Sequence, residues 1–366
     1  MDGDFFRRER PRTPQAVQPH SFLAPVRSVL RAETPDVYAD LLARGAREYH
    51  DFDWFGEHPP HREGDEELVT LRTRRIVLEA ALAAAVRREP AVEVRRGRRV
   101  DALAVRAGRP ARVTGVRVGG ETLRADLVID AAGRRSPVPG RLVAAGCRPP
   151  VVYCHRTGLA CLCRWYQPRA GGPRDPGRVQ TGSASAFALA GVFPSDNDTF
   201  AVNLVLSTGD PTRGALTDPA VFEAAARRFP ATAAWLGLDP EPRSAVLAMA
   251  GLVNAGDSLV HTNPTLGHAW TARALRPWFD AQVTADRGNE RRLAGSAPPP
   301  DRRAAARAAC AFEDPVVMRA RAHVRHLLLS ADEVERHVTA WLAARPEFAP
   351  RHDGPTREQW DALIPA

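Results

Sequence analysis

The chain of 366 residues is long enough for two domains, or for one large α/β domain with an inserted segment. Its 44% hydrophobic and 26% charged residues are typical of a globular protein. No apolar run reaches the length of a membrane span, and the N-terminal residues lack the apolar core of a signal peptide. We therefore expect a cytoplasmic protein without a membrane span, and the sequence does not indicate its oligomeric state.

The formal net charge of +8 raises the question of nucleic-acid binding. Apart from histidine, the basic residues are all arginines, and they are spread along the whole chain. Because affinity for nucleic acid needs clustered phosphate contacts, this distribution argues against a nucleic-acid partner.

The five cysteines, without a signal peptide, are typical of reduced cytosolic thiols. Cys154, His155, Cys161 and Cys163 could in principle hold zinc. However, zinc sites favour two residues between paired cysteines and a second pair at similar spacing, so we expect no metal. The alternative is that Cys161 and Cys163 are small buried side chains that alternate along a strand.

Two helices are predicted in the first ninety residues. Thr34 is a plausible N-cap for a helix that has Pro35 at its first position. A second helix, made mostly of strong helix formers, runs from Arg75 to about Arg88 and is closed by Pro90. The apolar face of the first helix is expected to carry Val37, Leu41 and Leu42.

Short strands are predicted around and after these helices. Gly119 and Gly120 are typical of a two-residue hairpin turn, and the apolar run Asp126–Asp130 is typical of a buried parallel strand. The other strands predicted before residue 150 are 68–71, 92–94, 99–105 and 111–118.

After residue 150 the pattern changes to antiparallel segments separated by proline- and glycine-rich turns, as in a sheet packed on one side. The predicted strands are 151–153, 158–166, 183–193, 199–207 and 251–255. The predicted helices are 219–228, 231–236, one that ends near 283 and, after a polar linker at 286–301, several within 302–345.

Two strand-end motifs could bind a ligand. The first is Asp126-Leu-Val-Ile-Asp-Ala-Ala-Gly-Arg-Arg-Ser136, in which a buried strand would bring Asp130 to its carboxyl edge and Gly133 would allow a tight turn. Ligands of open α/β sheets bind at that edge. Asp130 could equally cap a turn, a common role for a carboxylate at the end of a strand.

The second motif is a short strand that ends at Gly256-Asp257, followed by the loop Asn263-Pro-Thr-Leu-Gly267 and a helix. Asp257 could accept hydrogen bonds from a sugar or ribityl hydroxyl. The free backbone N–H groups around Thr265–Gly267 could hold a phosphate or an electron-rich ring edge. Gly256-Asp257 alone would indicate only a turn.

The two motifs, their order and their spacing resemble the FAD-dependent monooxygenase family of the para-hydroxybenzoate hydroxylase type, in particular its bacterial branch of flavin-dependent oxidoreductases. The family's strands ending D-A-x-G-R-x-S and G-D match the first and second motifs. Arg75-Ile-Val-Leu-Glu79 is similar to the family's R-x-x-L-E helix start, and Pro14-Gln15 through His20 to its Pro-Gln…His segment. The matches span residues 12–283.

The resemblance implies a FAD site. It implies that Asp257 contacts the ribityl–pyrophosphate portion, that Arg75 reaches the flavin phosphates, and that Pro264 and Gly267 lie beside the isoalloxazine. Arg75 could otherwise be a solvated helix residue. The cofactor-binding residues expected on this basis are Arg75, Asp257, Pro264, Thr265, Leu266 and Gly267.

The sequence departs from the family at its start. The strand, G-x-G-x-x-G turn, helix and acidic strand that hold the pyrophosphate and adenosine are absent from it. Segment 240–250 also looks shorter than the family's connection into the Gly-Asp strand. Either the natural chain begins further upstream, or this is a decayed or repurposed relative; we favour the first.

The resemblance implies an α/β fold: a FAD-binding, doubly wound parallel sheet, truncated at its N-terminus, with an inserted antiparallel-sheet substrate domain and a C-terminal helical tail. The predicted segments are 1–150 for the first part of the FAD domain, 151–250 for the substrate domain, 251–285 for the return segment and 286–366 for the helical region.

The implied activity is that of a FAD-dependent monooxygenase, which inserts oxygen into a small, commonly aromatic substrate through a flavin C4a-hydroperoxide, with NAD(P)H as reductant. Because the flavin performs the hard step, no catalytic acid or base is required, and none is predicted. The substrate would lie against the antiparallel sheet, where Phe187, Phe193, Phe200 and Leu204 suit an apolar pocket. The alternative is a truncated, non-catalytic remnant that binds a ligand or a protein.

Two other kinds of flavin chemistry, double-bond reduction and halogenation, stay open within this fold. The absence of a W-x-W-x-x-I-P motif argues against halogenation. Single histidines could be general bases but are more often structural, and the tryptophans and tyrosines of the second half suit a core or pocket wall. These residues are His155, His261 and His268, and Trp165, Tyr166, Trp270 and Trp278.

Overall fold

The computed structural model describes most of the chain, in two compact units. Unit 1 comprises residues 1–85, 158–251 and 288–366, and unit 2 comprises 86–157 and 252–287. The residues described are 14–106, 108, 112–132, 136–147, 155–156, 158–250, 253–254, 284, 287–295, 301–325 and 331–364.

The described chain contains both helices and strands. The helices are α1 (Ala24–Glu33), α2 (Pro35–Ala43), α3 (Arg75–Arg88), α4 (Val138–Ala144), α5 (Pro219–Ala226), α6 (Pro230–Leu236), α7 (Arg302–Ala311), α8 (Pro315–Arg325), α9 (Ala331–Ala343) and α10 (Arg357–Leu363). The strands are β1 (Arg47–His50), β2 (Val69–Arg72), β3 (Ala102–Arg106), β4 (Arg112–Val118), β5 (Glu121–Arg124), β6 (His155–Arg156), β7 (Leu159–Gln167), β8 (Gly182–Ala184), β9 (Ala188–Pro194), β10 (Phe200–Ser207), β11 (Glu241–Pro242), β12 (Leu247–Ala250) and β13 (Val253–Asn254).

Unit 1 is built on an antiparallel sheet with the strand order β11-β7-β10-β9-β8, and β12 also pairs with β7. Side chains alternate between the two faces of each strand, so one face of β10 carries Phe200, Val202, Leu204 and Leu206 into the largest core. That core is closed by α5 and α6 and by Trp360 of α10. The predicted antiparallel sheet is therefore confirmed.

A second core of unit 1 lies between α1, α2, α3 and the hairpin β1–β2. Val37 and Leu41 of α2 are buried in it, as predicted, whereas Leu42 is on the exposed side of the helix. Helix α3 has the predicted bounds. Strand β2 is shifted by one residue from the predicted 68–71.

The C-terminal helices α7, α8 and α9 form a third core with Phe52 and Leu68. Arg319 of α8 donates to both carboxylate oxygens of buried Asp65, at 2.7 and 3.0 Å. The helical prediction for 302–345 is confirmed over α7, α8 and α9, and residues 326–330 lie outside the described residues. The linker prediction for 286–301 is wrong over 287–293, which are helical and bury Leu293 against Leu159, Cys161 and Val205.

Unit 2 contains the three-stranded antiparallel sheet β3-β4-β5. Gly119 and Gly120 form the predicted tight turn, with φ values of +58° and +88°. This pair of left-handed residues is what a type I′ hairpin turn requires.

Two predicted strands of unit 2 do not form. Residues 92–94 and 126–130 are irregular, and Leu127 and Ile129 are 76% and 80% exposed. A strand needs a neighbour to supply its ladder of hydrogen bonds, and no described strand pairs with 126–130. Every strand pair in the described ranges is antiparallel, so the parallel FAD sheet stays a prediction. The division of the chain into four segments also stays a prediction.

Across the ranges that the structure describes, no helix combines the length and apolar character needed to cross a membrane.

A buried ion pair joins the start of α3 to the turn between β9 and β10. Asp196 is fully buried, and its carboxylate accepts from Arg74 Nε at 3.0 Å, from Nη2 at 2.5 Å and from the backbone N–H at 2.7 Å. Burial by itself raises the pKa of Asp196, but the hydrogen bonds and charge of Arg74 outweigh burial and lower it below its usual value.

We expect Asp196→Asn to lower the free energy of unfolding by about 3–5 kcal/mol near neutral pH, because it leaves the Arg74 guanidinium buried without a countercharge. Since the folded pKa lies below the unfolded value of about 3.9, this stability is present above about pH 4 and is lost as the pH falls through the folded value. Urea unfolding at about pH 7, and then at steps down to about pH 2, measures both effects.

The matched control is Asp361→Asn, which removes an exposed carboxylate from its pair with Arg357. It should cost less than about 1 kcal/mol. Equal losses in the two variants would contradict a structural role for the buried pair.

Candidate functional site

Unit 1 contains a cavity of about 840 Å³, a volume within the range of small-molecule sites. Its walls are the hairpin β1–β2, the 3₁₀ turn Asp51–Phe55, the loop 175–182, strand β9 and part of α8. The cavity is lined by both apolar and charged side chains. We therefore regard it as the candidate substrate site.

Aromatic rings make up much of the cavity wall. Trp54 and Phe312 meet edge to face with their centroids 4.9 Å apart, and Trp54 Nε1 donates to the Phe312 carbonyl at 3.1 Å. Such a wall suits a planar or apolar ligand. The aromatic residues that line the cavity are Phe22, Tyr49, Trp54, Phe55, Phe193, Trp235 and Phe312.

A capping box holds the 3₁₀ turn that carries Trp54 and Phe55. The Phe52 N–H donates to His50 Nδ1 at 3.1 Å, and the His50 N–H donates to the Asp53 carboxylate at 3.0 Å. The other oxygen of Asp53 contacts His58 Nε2 at 2.7 Å. These bonds fix the direction in which the chain leaves β1, and so place the two rings at the cavity.

The hairpin contributes a stacked pair of charged and aromatic groups. The guanidinium carbon of Arg72 lies 3.4 Å from the centroid of the Tyr49 ring, a cation–π arrangement. Burial lowers the pKa of Arg72. Burial also raises the pKa of Tyr49, although the charge of Arg72 opposes that rise, so the phenol is protonated at neutral pH.

The loop 175–182 closes another side of the cavity. Arg178 lies over the rings of Trp54 and Phe55, at 5.5 and 5.6 Å from their centroids. Asp175 accepts from the Gly177 N–H at 2.6 Å, and Gly177 has a φ of +79°, which a side chain would strain. The turn is therefore specified locally by the sequence Asp-Pro-Gly.

Three of the four residues predicted for an apolar pocket lie elsewhere. Phe200 and Leu204 face α5 and α6 in the core, and Phe187 packs on Trp360 with 5.4 Å between centroids. Phe193 does line the cavity. The reason is that successive side chains of a strand face opposite sides of the sheet. Phe193 pairs with Ala201, so it lies on the face opposite to that of Phe200.

The sequence interpretation missed the hairpin and the 3₁₀ turn. Tyr49 lies on a strand that was not predicted, and Arg72 lies one residue beyond the predicted strand 68–71. Trp54 and Phe55 lie between residues 50 and 67, where no helix or strand was predicted. The segment Asp51-Phe-Asp-Trp-Phe55 was the one available signal of a buried or ligand-facing turn. Exposed loops rarely carry three aromatic residues within five positions. Trp165 and Tyr166 are in the core, as predicted.

Arg75 is the only predicted cofactor residue within the described part of the chain. It is the first residue of α3, its side chain is 25% exposed, and its Nε donates to Glu79 at 2.7 Å. Its two terminal nitrogens have no partner among the described residues, which fits a phosphate ligand. Asp257, Pro264, Thr265, Leu266 and Gly267 lie outside the described residues, as do the side chains of His155, His261, His268, Trp270 and Trp278.

Asp130 behaves as a turn cap. Its carboxylate accepts from the Ala132 N–H at 3.0 Å and from the Ser136 hydroxyl at 2.6 Å. These local bonds support the structural alternative for this residue.

The cysteines of β7 are buried. Cys161 and Cys163 are 6% and 0% exposed, and Cys163 Sγ donates to Gln18 Oε1 at 3.1 Å. Burial raises the pKa of Cys161 to about 12 and that of Cys163 well above its usual value. The interpretation as small buried side chains along a strand is confirmed for this pair.

The chain is similar to several solved structures. A four-substitution variant of PqsL from Pseudomonas aeruginosa has 16% sequence identity, covers 89% of each chain, and has a TM-score of 0.53. PqsL itself, a probable FAD-dependent monooxygenase from that organism, has 17% identity, covers 89% of this chain and 81% of its own, and has a TM-score of 0.49. The myxobacterial FAD-dependent halogenase CndH has 14% identity, covers 96% of this chain and 87% of its own, and has a TM-score of 0.46.

No protein-family model matches the chain, and no curated protein matches its sequence. The likeness to the PqsL variant, at low identity, shows the fold. The resemblance to FAD-dependent monooxygenases is thus confirmed at the level of the fold.

We expect Cys161 and Cys163 to be inert in the folded chain, because only the thiolate is nucleophilic and burial disfavours it. Cys147 is partly exposed and should react. With a chromogenic disulfide reagent near neutral pH, Cys147→Ser should remove a fast phase of thiol release, whereas Cys163→Ser should leave every fast phase intact.

In denaturant, each of these two variants should release one thiol fewer than the parent chain. A fast phase lost in the native Cys163→Ser variant would show that the strand is accessible, contrary to its burial.

Proposed function

We propose that this chain is a FAD-dependent oxidoreductase, a monooxygenase that inserts an oxygen atom into a small molecule, with the cavity of unit 1 as its substrate site. The observation that carries the proposal is a fold shared with PqsL over 89% of both chains. Within that fold, the matches to flavin-binding motifs and a cavity of ligand size support it. NAD(P)H is the proposed reductant.

The residues proposed to hold the cofactor would each contact a different part of it. Arg75 would bind a flavin phosphate through its terminal nitrogens, while Glu79 holds Nε and keeps the side chain in place. Asp257 would accept from ribityl hydroxyls, and the loop with Pro264 and Gly267 would contact the ring system. When bound, the flavin supplies the electrons and the activation of oxygen.

The described residues would bind and shield the substrate. Trp54, Phe55 and Phe193 offer an apolar wall that excludes water, and the loop with Arg178 covers it. Exclusion of water would limit side reactions during oxygen transfer, so enclosing the substrate would be the main contribution of these residues. The proposal places no catalytic acid or base among these side chains.

One observation favours a second function, that of a non-catalytic remnant that binds a ligand or a protein. Leu127 and Ile129 are exposed where the resemblance predicts a buried strand of the FAD sheet. A chain without that strand would hold the cofactor weakly, because the sheet edge is part of the FAD site.

Flavin uptake tests the proposal. The purified chain is incubated with excess FAD, passed through a desalting column, and examined for the visible absorption of bound flavin. We expect the parent chain to retain flavin, Asp257→Ala to retain none, and Arg75→Gln to lose affinity by about tenfold, the typical loss of one charge-assisted contact.

The control is Arg87→Gln, which removes an exposed arginine from the last turn of the same helix and should bind like the parent. A folded parent chain that stays colourless would overturn the monooxygenase proposal and favour the remnant. Full retention by Asp257→Ala would overturn the assigned site.

A further inference from the structure

Arg72 differs from three other buried or partly buried arginines of unit 1. Arg74 pairs with Asp196, Arg164 with Glu223 and Arg319 with Asp65. Arg72 is partly buried on the cavity wall, and none of the described carboxylates forms an ion pair with it. Its guanidinium lies over the face of the neutral Tyr49 ring.

The nearest acidic groups are already engaged. Asp53 and Asp175 act on Arg72 only through longer-range electrostatics. The Asp53 carboxylate is held by the His50 N–H and by His58, and Asp175 by the Gly177 N–H. The chain therefore does not neutralise the Arg72 charge at close range within its described residues.

An unpaired guanidinium in a partly desolvated wall costs free energy that an anion would offset. The pKa of Arg72, lowered by burial, is consistent with that cost. The guanidinium carbon lies 3.4 Å from the centroid of the Tyr49 ring, so the ring covers one face of the group. A guanidinium can pair through two N–H groups with the two oxygens of a carboxylate.

Much of the remaining wall is aromatic, with Trp54, Phe55 and Phe193 among the lining residues. A ligand that satisfies both features has a planar apolar body and a single anionic group. The volume of about 840 Å³ accommodates a two-ring compound.

We propose that Arg72 is a specificity-determining residue, which selects planar organic acids by binding their carboxylate inside the unit 1 cavity. As a statement about the substrate of an oxygen-inserting enzyme, this rests on the proposed function. As a statement about ligand binding, it rests on the cavity and on Arg72 alone.

The test compares 2-naphthoate with its neutral analogue 2-naphthamide by isothermal titration calorimetry on the full chain without added FAD. The parent should bind the acid at least about tenfold more tightly than the amide, since a charge-assisted pair with a carboxylate is worth about that factor. Arg72→Gln should lose about tenfold in affinity for the acid and none for the amide, and Arg72→Lys should retain part of the preference.

The matched control is Arg47→Gln. Arg47 lies directly opposite Arg72 in the hairpin, but it is exposed, pairs with Asp198 and does not line the cavity. Its removal should leave both affinities unchanged. Circular dichroism and thermal unfolding establish that each variant is folded.

Equal binding of acid and amide by the parent chain, an unchanged acid affinity in Arg72→Gln, or no binding of the acid at all would overturn the proposal. If Arg72→Gln does not fold, the ratio of acid affinity to amide affinity, compared between the parent chain and Arg72→Lys, still tests the proposal. Acid selectivity in a chain that takes up no FAD would overturn the monooxygenase proposal and leave Arg72 as an anion site. FAD uptake without acid selectivity would support the monooxygenase proposal and overturn the proposed role of Arg72.

Discussion

The buried pair between Arg74 and Asp196 is the constraint on which unit 1 depends. It joins the start of α3 to the turn between β9 and β10, so it locks the helical layer to the antiparallel sheet. Asp196 is fully buried, and removing either partner would leave an isolated charge in the interior. Because the pair also fixes the end of β2, it holds Arg72 on one side and Arg75 on the other.

These three neighbouring arginines show how environment, not residue type, assigns a role. Arg74 has a buried carboxylate and is structural. Arg75 begins a helix, pairs with Glu79 through Nε, and keeps its terminal nitrogens available. Arg72 precedes them on a strand, where alternation turns it towards the cavity and onto the Tyr49 ring. The segment thus combines support for the sheet with two groups proposed to bind anions.

The candidate site was only partly predictable. The flavin motifs were visible because each is local: a strand end, a glycine turn and a helix start. The cavity was not, because its wall joins segments that are far apart in the chain, such as Trp54, Arg178 and Phe312. The predicted pocket residues Phe200 and Leu204 were misplaced since a strand pattern shows that two faces alternate and does not show which face meets the helices.

The sequence by itself determined the elements that local chemistry specifies: helix α3, the Gly119–Gly120 turn, strands β7 and β10 of the antiparallel sheet, and helices α7, α8 and α9. It also determined the resemblance to flavin enzymes. Only the tertiary structure decided that residues 126–130 have no described strand partner, and that Arg72 lacks a carboxylate while Arg74 has one. The physical reason is that pairing, burial and charge neutralisation depend on groups brought together by folding, which spacing along the chain does not reveal.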